Sequence, residues 1–168
     1  MTEHIKIGNV TPRIQFIGNG ISQHFFYPFA IFMEKDLEVY LNDVKIDSGF
    51  TVSGAGSSVG GTVTFSAAPG VGVIVTLRRS LAIQRMTDFQ ESGDFRAATL
   101  NDELDYQTAA LQNLAADAAM AVRVSQTDQP VSLVLPKKAE RAGKILGFDH
   151  NGAVEARALP QGGVSNHR

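Results

Sequence analysis

Leu37-Glu38-Val39-Tyr40-Leu41-Asn42-Asp43-Val44-Lys45 is the stretch whose reading decides the fold. Leu37, Val39 and Leu41 fall on one side of an extended backbone and Glu38, Tyr40 and Asn42 on the other, because successive strand side chains point to opposite faces. Asn42-Asp43 then separates two extended runs with the residue types that a two-residue hairpin turn accepts. One-sided alternation closed by a tight turn predicts antiparallel sheet with a single buried face.

The same period of two extends to both sides of this hairpin. Val63 and Phe65 alternate with Thr62 and Thr64, and Val73, Val75 and Leu77 with Ile74, Thr76 and Arg78. Gly18-Asn19-Gly20 offers a turn between Ile14–Ile17 and the aromatic run His24–Phe29, and Pro69-Gly70 with Gly72 offers another. The glycine- and serine-rich stretch Ser53 to Gly61 reads as a flexible loop or a wide hairpin end. About six strands with short links predict an antiparallel β-sandwich over residues 1–81.

At Leu81 the pattern changes. Residues 82–98 have no clear period and read as an ordered connector. A helix is expected over residues 99–126: Thr99 can cap it with Asp102 three residues on, Asp102 and Glu103 suit its positive end, and no breaker occurs before Pro130. At roughly 1.5 Å per residue it is about 40 Å long, more than a small sheet covers. Leu100, Leu104, Gln107, Leu111, Leu114, Ala118 and Ala121 follow a three-four spacing, the seam of a helical bundle. The competing reading packs this stripe on the sheet of its own chain, and the two can coexist along one helix.

Residues 127–168 read as a small β-hairpin segment. Asp149-His150-Asn151-Gly152 is a turn signal between Ile145–Phe148 and Ala153–Ala156. Two or three short strands make no independent core, so the segment leans on its own domain, other copies or a partner.

The 168 residues carry 15 basic and 17 acidic side chains, a formal net charge of −2, so no global field draws in nucleic acid or an anionic membrane. No signal peptide is visible in Met1–Val10, and no apolar run approaches the roughly 18 residues of a membrane span. The absence of cysteine removes disulfides, thiolate zinc sites and cysteine nucleophiles. His4, His24, His150 and His167 lack metal-site spacing, and His24 reads as a half-buried packing residue. Gly54-Ala55-Gly56 lacks the context of a phosphate loop, and no nucleophile elbow occurs. Asp88, Glu91 and Asp94 read as surface acids of the connector, and Arg78, Arg79 and Arg85 as their ion-pair partners. Neither catalysis nor a cofactor is expected.

Several motifs, in order, then carry a resemblance: Gly18-Asn19-Gly20, Tyr27-Pro28-Phe29, Asp36 to Asn42, Phe50-Thr51-Val52, Gly61 to Phe65, Val75 to Arg79, Arg85, Thr87-Asp88-Phe89, Phe95-Arg96-Ala97 and Leu100-Asn101. From about Pro12 to Val124 the chain resembles the N-terminal, tail-attaching domain of tail fibre proteins from short-tailed bacteriophages. The resemblance implies a β domain that clamps onto the tail near adaptor and nozzle proteins, assembly as a homotrimer, and a helix leading toward the fibre shaft. It also implies a connector and docking role for Arg78, Arg79, Asp88, Phe89, Phe95, Arg96 and Asn101. Whether Arg78, Arg79 and Arg96 brace the subunit or face the tail stays open, with bracing preferred. The stretch from Pro136 to Asp149 resembles a short piece found after such domains. Because the sequence reaches Arg168 with no shaft, the expectation is a virion tail protein, made in the host cytoplasm, that adapts the tail to a separate fibre or tailspike. The alternative is a short receptor-binding tail protein, with Tyr27, Tyr40 and Tyr106 stacking on host polysaccharide.

Overall fold

The computed structural model describes residues 4–85, 87 and 96–159, which fall into two units, residues 1–120 and 121–168. The fold is mainly β, with antiparallel sheets and one long helix. In the first unit the strands are β1 (Arg13–Ile17), β2 (His24–Tyr27), β3 (Leu37–Leu41), β4 (Val44–Ile46), β5 (Phe50–Ser53), β6 (Gly61–Phe65) and β7 (Ile74–Arg79), followed by helix α1 (Ala97–Ala119). They form a four-stranded sheet in the order β1-β7-β3-β4 and a three-stranded sheet in the order β2-β6-β5.

The register turns alternation into a core. Ile14, Leu77, Val39 and Ile46 stand in one row across the first sheet, and Phe25, Val63 and Val52 in one row across the second. Both rows enter a single apolar cluster. Phe25 meets Phe16 and Phe65 edge-on at 5.4 and 5.5 Å, an arrangement that suits the ring quadrupoles. The hairpin read from Asn42-Asp43 is present: Leu41 pairs with Val44, and Asn42 takes a positive φ of 55°. Because β2 turns Phe25 and Tyr27 inward, His24 points outward; it is exposed against Thr64, not half-buried.

The unit has seven strands where about six were expected; β5 is the addition, and its Phe50 and Val52 are half-buried while Thr51 and Ser53 are exposed. Of the two readings of Ser53 to Gly61, flexible loop or wide hairpin end, the second is the one found: the stretch closes the β5–β6 hairpin, with Gly56 N–H donating to the Ile31 carbonyl at 2.9 Å. Gly60 sits there at φ +85°, where a Cβ would lie 1.9 Å from the Tyr27 carbonyl oxygen. Only glycine fits that conformation and that gap.

Helix α1 begins and ends earlier than expected. Its N-cap is Arg96, with no side-chain cap bond, so Thr99 lies inside the helix. It stops at Ala119, which leaves Ala121 beyond the last turn and shortens the rod to about 34 Å. The physical reason is loss of support. Asp117 is its last residue with an ion pair to the sheet, and beyond it come exposed Met120 and Val122, the latter β-branched and a weak helix former.

The second unit holds a short helix, α2 (Lys138–Arg141), and the hairpin strands β8 (Ile145–Phe148) and β9 (Val154–Arg157). Asp149 closes this hairpin by accepting the N–H groups of Asn151 and Ala153 at 2.8 and 2.9 Å, and those bonds hold its carboxyl below the ordinary range.

Gly60→Ala is expected to destabilise the first unit by at least ~2 kcal/mol, through the forced φ and the collision with Tyr27. Urea unfolding checks it, and a midpoint equal to wild type would show that the hairpin end tolerates a side chain.

Candidate functional site

Helix α1 meets its own sheet through polar anchors. Arg79 ends β7 on the same parity as Val75 and Leu77, which turns its side chain inward, and it is 2% exposed. Its guanidinium donates to the Ala30 carbonyl (3.0 Å), the Ala109 carbonyl (3.0 Å), Gln112 Oε1 (2.8 Å) and Asn113 Oδ1 (2.9 Å). Burial draws its pKa down to about 10 against the opposing pull of Asp36, so it remains a cation at neutral pH. Arg78, on the other face of β7, reaches Glu38 at 3.4 Å and Asp117 at 3.3 Å. Tyr106 packs on Phe32 with centroids 5.2 Å apart and donates its hydroxyl to the Ala82 carbonyl at 2.7 Å. The N-terminal arm lies alongside: His4 bridges Asp102 (3.0 Å) and Asp105 (2.7 Å), and Gln112 donates to the Gly8 carbonyl at 2.8 Å.

The inward residues of the helix lie along one line, buried Glu103, Tyr106 and Ala109 with half-buried Asn113, and Asp102, Asp105, Gln112 and Asp117 flank it. At 3.6 residues per turn, Leu100, Leu104, Leu111 and Leu114 centre roughly 130° away from it. Leu104, Leu111 and Leu114 are accordingly 50, 65 and 56% exposed, while Leu100 is half-buried and Ala118 exposed. An open groove of about 460 Å³ runs beside them, with Ile83 and Ala110 in its walls. The helix thus packs in cis by one face and bares its leucines on another. Its length is not the reason for the bare stripe, because cis contacts run from Asp102 to Asp117. Its rotation is.

The remaining motif residues divide. Arg79 and Arg78 brace the subunit; Arg96 and Asn101 are exposed at the start of α1. Asp88, Phe89 and Phe95, with the acids Glu91 and Asp94, lie outside the described residues. No model of a known family matches the chain. Over 115 residues, 64% of its length, it is 30% identical to the tail spike protein of Salmonella phage epsilon15, of which it spans 11%. This chain is similar to a phage tail spike. The likeness supports a phage tail protein and a component of the virion tail, without singling out the tail-attachment family.

A second surface lies apart from the helix. At the end of β7 away from Arg79, the turn after β1 and the turn before β7 are zipped by backbone bonds from Gly18 to Val73 (2.7 Å), Gly20 to Pro69 (3.0 Å) and Gly72 to Gly18 (3.0 Å). This rigid tip displays Ile17, Ile21 and Val71, all largely exposed, and neither Gln15–Gln23 nor Ser66–Leu77 contains a charged residue. Alternation gave no hint of it, although an uncharged turn with isoleucine and valine at its crest is a readable signal. The tyrosines of the alternative, polysaccharide-binding reading form no exposed platform. Tyr27 and Tyr106 are buried, and Tyr40, half-buried, spends its hydroxyl on Glu38 at 2.9 Å. Among the described residues no group of three metal-binding side chains converges, and no helix is long and apolar enough to cross a membrane.

Arg79→Met is expected to cost roughly 3 kcal/mol, because it leaves buried carbonyl and amide oxygens without a donor. Arg79→Lys should recover only part of this, since one ammonium does not span that fork of acceptors. Chemical denaturation of both variants checks the order; equal stabilities for Met and wild type would show that α1 is held by other contacts.

Proposed function

We propose that this chain is a structural, non-enzymatic tail protein that anchors or adapts a fibre or tailspike, docking on the tail by its β domain and joining its own copies, as a homotrimer, through the leucine stripe of α1. The two sheets are read here as a sandwich that carries both surfaces. One observation carries the proposal: in a chain similar to a tail spike, a helix held to its own sheet by polar anchors leaves Leu104, Leu111 and Leu114 at least half exposed. Burying them yields about 1–1.5 kcal/mol each, a gain that association with another chain supplies. The uncharged aliphatic tip is the surface we assign to the tail, where it fits an uncharged, concave site on an adaptor or nozzle protein. A sugar-binding role draws no support from tyrosines that are buried or hydrogen-bonded.

Leu111→Asp is expected to raise the concentration for self-association at least tenfold in sedimentation velocity while circular dichroism stays unchanged, because a carboxylate in an apolar layer is costly to desolvate. A wild-type chain that sediments as a monomer at all concentrations overturns the assembly reading.

Val71→Asp is expected to leave self-association intact and abolish binding to purified tails assembled without this chain. Undiminished tail binding by Val71→Asp and by Ile17→Asp would remove the tip from the docking surface.

A further inference from the structure

We propose that the β8–β9 hairpin is a second self-assembly face, its apolar side packing against the same side of the hairpin in other copies of this chain. The cross-strand pairs sort its residues cleanly. Leu146 faces Ala156 and Phe148 faces Val154 on one side; Ile145 faces Arg157 and Gly147 faces Glu155 on the other. The second side gathers the charge. Arg157 lies over Gly147, where a Cβ would meet its Cδ at 2.8 Å, and its guanidinium bonds Glu155 and the Phe148 carbonyl. The first side carries no charge and leaves Leu146 61% and Phe148 52% exposed. None of residues 121–159 is buried. A two-stranded hairpin in this condition is marginal in water, so its apolar side requires a cover.

Size decides what the cover is. Four residues at about 3.4 Å and two strands about 4.8 Å apart give a face on the order of 130 Å², against roughly 800 Å² per partner in a standard interface. A face this small holds only what another contact has already brought close. Copies joined through α1 meet that condition, because residues 120–144 tether an identical hairpin to each of them and raise its effective concentration to about the millimolar range. The inference therefore rests on the α1 reading. It adds a layer that an unlike partner, facing a surface with no charge to recognise, lacks the tether to fill.

The chain contains no cysteine, so a single introduced thiol reports on copy-to-copy approach without background. In the full-length protein, Leu146→Cys and Phe148→Cys should each give mostly covalent dimers with a short bismaleimide, and Glu155→Cys, on the charged side, at least fivefold less. The yield should fall with that of assembly when Leu111→Asp is added. If wild type assembles yet Leu146→Cys and Phe148→Cys cross-link no better than Glu155→Cys, the hairpin inference fails and the α1 reading stands. If wild type never leaves the monomer, both fail. Cross-linking that persists undiminished in the Leu111→Asp background would overturn the tether on which the inference depends.

Discussion

Burial of the Arg79 guanidinium is the constraint on which the rest of the first unit depends. A cation taken out of water is tolerated only when its donors are met, and here the acceptors come from three places: the Ala30 carbonyl, the Ala109 carbonyl, and the side chains of Gln112 and Asn113. Two of those places lie one turn apart on α1, so satisfying the arginine fixes both the height and the rotation of the helix. Ala109, fully buried, permits the close approach because its side chain ends at Cβ. Once Ala109 faces β7, the leucines must turn away from it. The bare stripe is therefore a consequence of the buried cation and not an accident of helix length.

The surrounding contacts sharpen this placement without competing with it. Arg78, one residue earlier and on the opposite face of β7, reaches the helix from outside through Asp117 while Lys45 and Tyr40 occupy the rest of Glu38. Burial alone would raise the Glu38 pKa. The hydrogen bonds from Lys45 and Tyr40 and the charges of Lys45 and Arg78 outweigh it, so this carboxyl titrates below its ordinary value and its contribution is present at neutral pH and lost on acidification. At the helix start, His4 between two aspartates ties down the arm that runs beside α1. Anchors of this kind fix orientation; they bury little apolar area, and the leucines remain available.

Much of this was legible in the sequence because strand parity is a local signal. Leu37, Val39, Val63, Val75 and Leu77 all face inward as their alternation requires, and Asn42 makes the turn its residue type favours. Parity also placed Arg79 on the inward side, a clue stronger than its membership of a basic pair. What stayed illegible depends on contacts between distant segments. The helix ends at Ala119 although no breaker precedes Pro130, because support from the sheet, invisible in the local sequence, runs out at Asp117. His24 belongs with the local signal: its parity opposes that of buried Phe25 and Tyr27, and it stands in solvent.

The energetics of the stripe then bear on what assembly demands. Three half-exposed leucines at about 1–1.5 kcal/mol each would give a chain about 3–5 kcal/mol on association. That is near the low end of the 4–15 kcal/mol lost in translational and rotational freedom when two molecules join. The proposed seam alone would accordingly drive weak, concentration-dependent association, and tight assembly would need a further contact whose entropy has already been lost. The proposed hairpin contact, carried on the same chain, and the proposed docking of the tip would both have that property. Under the proposed function, then, several weak faces engaging together, and not the leucine stripe by itself, would hold the assembly.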